Sequence, residues 1–201
     1  MLLSMSVASG EGPLSEGELL DLATSMEGHP DNVAAALLGG LQLMTREQGS
    51  MLSVPVPVPV DVHTVLYVPE ITIATDMARA VLPDSVSRED AVYNMGRVAL
   101  LVRAFSTGDM TELAVATGDR LHQPARQTLF PAMKNIFRAA LGAGALGVFL
   151  SGAGSSVLAL TTGRELTIGY EMADAAVKSG IDGTVKVTRP TERGAHLAEA
   201  D

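Results

Sequence analysis

The stretch Gly147-Val148-Phe149-Leu150-Ser151-Gly152-Ala153-Gly154-Ser155-Ser156-Val157-Leu158-Ala159-Leu160 holds two short apolar runs separated by six small residues. Apolar runs this short, bounded by turn residues, read as buried strands, because a buried helix needs roughly ten residues or more. Two such strands on one short link pair antiparallel. The link itself admits two readings. Glycine and serine make an ordinary hairpin connection, and the same small residues let successive N–H groups turn inward as a nest for an anion, with hydroxyls as further donors.

Working outward, Val65-Leu66-Tyr67-Val68 reads as another buried strand. Residues 74–82 read as a short helix closed by Pro83. Ser87-Arg88-Glu89-Asp90 opens a longer helix whose Ala91, Val92, Met95, Val98, Ala99 and Val102 form a stripe expected to face the core. Helices are expected at 109–117 and 129–141, the second with Pro131 in its first turn. Pro124 separates them and leaves Arg126 in a loop. A helix at 164–178 and a strand at 184–188 follow. This order implies an α+β domain in which an antiparallel sheet is backed by helices.

Further upstream, Ser15 with Glu18 three positions later is a capping box, so a helix starts there and stops near Glu27-Gly28. His29-Pro30-Asp31-Asn32 then reads as a loop before a short helix over 33–38, ended by Gly39-Gly40. In Val54-Pro55-Val56-Pro57-Val58-Pro59 every second residue lacks a backbone donor, which excludes a central strand and suits polyproline geometry. The domain boundary is placed there, giving domains 1–60 and 61–201.

Composition narrows the function. Hydrophobic residues make up 47% and charged residues 18% of the 201 positions, so most of the chain folds. The net charge of −9 disfavours nonspecific binding to nucleic acid or an anionic membrane. With aromatics at 3%, stacking platforms for bases are lacking. No apolar run reaches the roughly 18 residues that span a bilayer, and residues 1–7 lack the basic start of a signal peptide. Without cysteine there is no disulfide, thiolate nucleophile or cysteine-bearing zinc site, and a reducing cytoplasm fits.

Glu27-Gly28-His29-Pro30-Asp31-Asn32 gathers two acids, an imidazole and an amide in six residues, groups suited to magnesium and to a polar metabolite. A helix end with a proline turn explains the same residues. Arg79 lies four positions after Thr75, on the same helical face, and guanidiniums of this kind bind carboxylates or form surface ion pairs.

Together these stretches resemble the homoserine kinases of the GHMP kinase superfamily. The resemblance rests on Glu27-Gly28-His29-Pro30-Asp31-Asn32-Val33-Ala34 with Gly39-Gly40, on Thr75 and Arg79 before Leu82-Pro83, on Asp119-Arg120-Leu121-His122-Gln123-Pro124-Ala125-Arg126, and on Ser151-Gly152-Ala153-Gly154. It implies a GHMP-kinase-like fold, with a remnant of the amino-terminal domain before a ferredoxin-like antiparallel sheet. It also implies phosphorylation of L-homoserine by ATP and Mg2+ on the way to threonine. By position, Asp31 and Asn32 would be catalytic, and His29, Thr75, Arg79, Arg126 and Gly152 would bind substrate. Gly154 and Ser155 would bind the cofactor, and Glu27 the metal. The resemblance leaves a homodimer open.

Ala35 and Ser155 stand where the family pattern has proline. The family's substrate-binding Asp and glycine-rich phosphate loop are not found, and residues 1–9 resemble the tail of the helix after that loop. The expectation is therefore an amino-terminally truncated kinase, inactive by itself. The alternative is a non-enzymatic metabolite-binding or dimerisation module. A mevalonate-type kinase is disfavoured, because an arginine pair for a carboxylate matches an amino-acid substrate.

Overall fold

Ser15 opens the first helix as its spacing implies. In the computed structural model, which describes residues 14–196, helix α1 runs Glu16–Glu27. The Glu18 N–H donates to Ser15 Oγ at 3.3 Å and the Ser15 N–H donates back to Glu18 Oε2 at 2.8 Å, satisfying amides that the first helical turn leaves unpaired. Gly28 closes α1 in the left-handed region, φ 83°. The readings for residues 1–7 and 1–9 lie outside the described residues.

Helix α2, Pro30–Leu38, begins three residues before the expected 33–38. Proline at the first helical position is already at a helical φ and lacks only an N–H that would have no partner. Asp31 and Asn32 thus sit in a helical turn, not a loop. Strands β1, Leu41–Glu47, and β2, Ser50–Val56, then form an antiparallel hairpin in register from Leu41↔Val56 to Glu47↔Ser50. This corrects the polyproline reading of 54–59 as far as Val56. Each strand of a two-stranded ribbon has one edge without a ladder, and there Pro55 can lack its N–H without loss.

The chain divides into two units at Val58/Pro59. The segment from Pro190 returns to the first unit, where the Gly40 N–H donates to the Thr191 carbonyl at 2.7 Å and the Ala195 N–H to the Ala36 carbonyl at 2.9 Å. The second unit therefore ends at Arg189, whereas the sequence reading keeps 61–201 together.

The second unit contains β3 (His63–Pro69), α3 (Thr75–Ala80), α4 (Arg88–Thr107), α5 (Leu113–Ala116), α6 (Gln123–Arg126), α7 (Met133–Gly142), β4 (Gly147–Leu150), β5 (Val157–Thr161), α8 (Glu165–Lys178) and β6 (Gly183–Thr188). The sheet order is β4-β5-β3-β6 with every neighbour antiparallel. Helical connections separate β3 from β4 and β5 from β6, while β4 and β5 form a hairpin, which is the ferredoxin-like split βαβ arrangement. One sheet face presents Val65, Tyr67, Val148, Leu150, Val157 and Ala159 to Met133, Ile136 and Ala140 of α7 and to Ile168, Met172 and Ala176 of α8. That layer is the core, and α+β is the observed class.

Three helices differ from expectation. The helix at 109–117 shrinks to α5 because the Asp109 carboxylate accepts the Thr111 N–H at 3.2 Å and hydroxyl at 2.7 Å, a local turn that competes with helix. Helix α7 starts at Met133, so Pro131 precedes it. The α4 stripe is largely bare: Val92, Met95 and Val98 are 56%, 63% and 53% exposed, and burial is confined to Ala104 and Phe105 near the helix end.

Candidate active site

The four amino-terminal candidates occupy one helix–turn–helix corner of the first unit. Glu27 is the last residue of α1 and exposed, and His29 is the half-buried N-cap of α2. Asp31 and Asn32 follow in the first turn of α2, exposed, with the Asn32 N–H donating to Asp31 Oδ1 at 2.9 Å. Among the described residues no group of three or more His, Asp and Glu side chains is placed to hold a metal ion. A single exposed carboxylate such as Glu27 would hold magnesium only with other oxygen ligands and water completing the shell, the usual manner of that ion.

The other candidates lie in the second unit, where the structure links them. Thr75 and Arg79 are on α3, both exposed. Arg126 is not in a loop but ends α6, a single turn with Pro124 near its start. Its guanidinium donates from Nε to the Ala78 carbonyl at 3.3 Å and from Nη1 to the Gly152 carbonyl at 3.0 Å. One side chain therefore joins the helix carrying Arg79 to the loop between β4 and β5.

That loop is rigidly organised. Gly152 and Gly154 have φ of 58° and 88°, which side chains with a Cβ rarely adopt. The Ser151 N–H donates to the Ser156 carbonyl at 2.9 Å and the Gly154 N–H to the Ser151 carbonyl at 3.1 Å. Ser155 is buried and its hydroxyl donates to the Ile71 carbonyl at 2.6 Å, so this group braces the loop. The loop leads into a strand, and so has no helix N-terminus of the kind that adds a dipole to a phosphate site.

Asp119 went unassigned in the sequence, yet it organises the turn before α6. Oδ1 accepts the Asn94 side-chain amide and the Leu121 N–H, both at 2.8 Å, and Oδ2 accepts the His122 N–H at 2.9 Å and the Gln123 N–H at 2.6 Å. Burial pushes this carboxyl upward, and the four donors outweigh it to leave the pKa below the ordinary value. Beside it, the Arg97 and Arg120 guanidiniums lie 4.0 and 4.1 Å from the Tyr93 ring centroid, and Arg120 pairs with Glu89 at 3.0 Å. An Asp a few residues before a proline turn is the sequence signal that could have revealed it.

Against known proteins, residues 101–177 match the family described as GHMP kinases C terminal. The chain is 45% identical over 184 residues to the homoserine kinase of Moorella thermoacetica, covering 92% of this chain and 62% of that protein. The chain is thus similar to GHMP kinases, through that match and this relative. To the homoserine kinase of Gloeobacter violaceus it is 51% identical over 149 residues, 74% of this chain and 50% of that one. The crystal structure of the homoserine kinase from Cytophaga hutchinsonii superposes with a TM-score of 0.85 at 29% identity, over 94% of this chain and 62% of that one. The chain thus spans between half and about three fifths of the length of these relatives. No helix among its described residues is long and apolar enough to cross a membrane.

Proposed function

We propose that this chain carries the acceptor side of an ATP-dependent homoserine kinase, in which the side-chain hydroxyl of L-homoserine is phosphorylated. Residues 1–60, with the returning segment from Pro190, would belong to the amino-terminal domain of that kinase and the residues between to its carboxy-terminal domain. The reading is carried by Arg126, whose guanidinium stands between α3 and the glycine loop. Arg79 and Arg126 would hold the substrate carboxylate, with Thr75 and Gly152 beside it, and His29 would contribute to substrate binding. A bidentate guanidinium–carboxylate pair fixes direction as well as position. It would aim the hydroxyl at the far end of a short molecule.

Phosphoryl transfer depends mainly on placing the acceptor oxygen in line and on neutralising charge, so no strong general base is required. Asp31 and Asn32 would orient the hydroxyl, with Asp31 or His29 assisting its deprotonation. Magnesium ATP, when bound, supplies the transferable phosphoryl group. Glu27 would be a ligand of the ion, and Gly154 and Ser155 would shape the loop facing the nucleotide. A cysteine-free acidic chain using ATP suits the cytoplasm.

Titration calorimetry with L-homoserine, followed by a coupled assay with ATP and Mg2+, tests the reading. The expected result is saturable L-homoserine binding that weakens in Arg79→Ala and Arg126→Ala. Turnover by the 201 residues alone should lie far below the roughly 1 to 100 per second of kinases. Binding indifferent to both arginines would overturn the assignment. Saturable binding with no response to ATP in a chain extended to the relatives' length would favour the non-enzymatic module.

A further inference from the structure

We infer that Asp119 is a positioning residue that sets the acceptor site through Arg126 and Gln123, without itself touching ligand. The inference deepens the reading of the acceptor site and rests on it.

A helix of four residues such as α6 does not hold itself, because helix nucleation fixes several residues for the first hydrogen bond. What holds it lies outside. The Asp119 carboxylate collects the N–H groups of Leu121, His122 and Gln123 together with the Asn94 side-chain amide, and Asn94 Oδ1 accepts the Arg120 N–H at 3.0 Å. Residues 119–123 are thereby wrapped around one carboxylate and tied to α4. From this fixed start, Gln123 Oε1 accepts the N–H of Leu150, the last residue of β4, at 2.9 Å. Three positions later, on the same face of the turn, Arg126 reaches the carbonyls of Ala78 and Gly152. Asp119 thus governs the entry to the glycine loop through Gln123. It governs the loop's interior and α3 through Arg126.

The chemistry requires an ionised carboxylate. Four donors converge on two oxygens, which offer about four lone-pair sites. A side-chain amide in its place would have the same shape but would present an NH2 to two of those donors, so Asp119→Asn breaks half the clamp with little change in volume.

The experiment compares Asp119→Asn with the wild-type 201-residue chain by amide hydrogen exchange and by calorimetry with two ligands, L-homoserine and its carboxylate-free analogue L-homoserinol. Exchange should quicken over 121–126 and 150–156 while α7 and α8 keep their protection. Affinity for L-homoserine should fall on the order of tenfold, the size of one lost charge-assisted contact. Affinity for L-homoserinol should be unchanged, because the loss travels through the arginine that meets the carboxylate. A purely structural role predicts equal losses for both ligands. That result, or unaltered exchange at 150–156, overturns the inference. If Asp119→Asn does not fold, Asn94→Ala, which removes one of the four donors on Asp119 together with the acceptor of the Arg120 N–H, must show the same pattern in smaller measure, and unchanged exchange in it is likewise fatal. Failure of the wild type to bind L-homoserine would sink the acceptor-site reading, while the exchange comparison still decides the role of Asp119.

Discussion

Arg126 and Arg79 differ in how the fold holds them. Arg126 is fastened to two backbone carbonyls, whereas Arg79 stands exposed on a six-residue helix. If both meet one carboxylate, replacing either by Ala should lower kcat/KM for L-homoserine about ten- to a hundredfold in a chain extended to the relatives' length, with ATP affected much less. Lys should rescue poorly, since an ammonium lacks the planar fork. Two ordinary surface arginines would instead give changes within about half a kcal/mol. The carboxylates yield a second prediction. The Thr111 hydroxyl, then Arg103, hold the Asp109 carboxyl down at about 2, and the four donors on Asp119 outweigh burial to hold the Asp119 carboxyl below its ordinary value, 3.8 for both. A depressed folded-state value contributes stability that is present above the ordinary value and lost as pH falls through the folded one. Acid unfolding followed from pH 5 downward should therefore steepen below about 4, and Asp119→Asn should flatten that slope. The candidate residues were readable in the sequence as types in order. The Asp119 clamp was not, because three of its four donors are backbone N–H groups, which no residue letter records.

At the scale of elements, the apolar runs around Gly152 were legible because a short strand buried on one face has few other readings. The hairpin of β1 and β2 was hidden by Pro55 and the prolines that follow it, which argue against a central strand but not against a ribbon of two edges. The α4 stripe shows a different limit: spacing reveals that a helix has an apolar face, not what covers it. Placing Ser or Gln at Val92, Met95 or Val98 should thus change stability by less than about 0.5 kcal/mol. Ile136→Ala, at a site with no exposure in the core, should cost about 2 to 5 kcal/mol. Chemical denaturation of the four variants checks both figures, and a large loss at Met95 would mean that the face is covered in solution. Ser15→Ala removes a complete capping box and should cost about 1 kcal/mol, measured on the same curves.

The two units of the molecule differ in how much they bury. Among the described residues of the first, the buried apolar side chains are Leu19, Leu20, Ala34 and Val56, while Leu22, Met26, Leu52 and Val54 stand open to solvent. The second has the full layer between sheet and helices. Hydrogen exchange should accordingly be faster throughout 16–56 than in β3, β5 and α8, and equal protection across both units would contradict this ranking. The second unit's sheet order has a further consequence, for synthesis. The Thr64 hydroxyl on β3 donates to the Thr188 carbonyl on β6, 124 positions away, and β5, on the other side of β3, is also encoded far downstream. A ribosome adding about 5 to 20 residues per second takes roughly 6 to 25 seconds to cover that interval. Until β5 follows at Val157–Thr161, about three quarters of that time, nascent β3 has neither neighbour made, and β6 completes its pairing only at the end. It is the strand that waits longest, and it is there that a chaperone would be needed first.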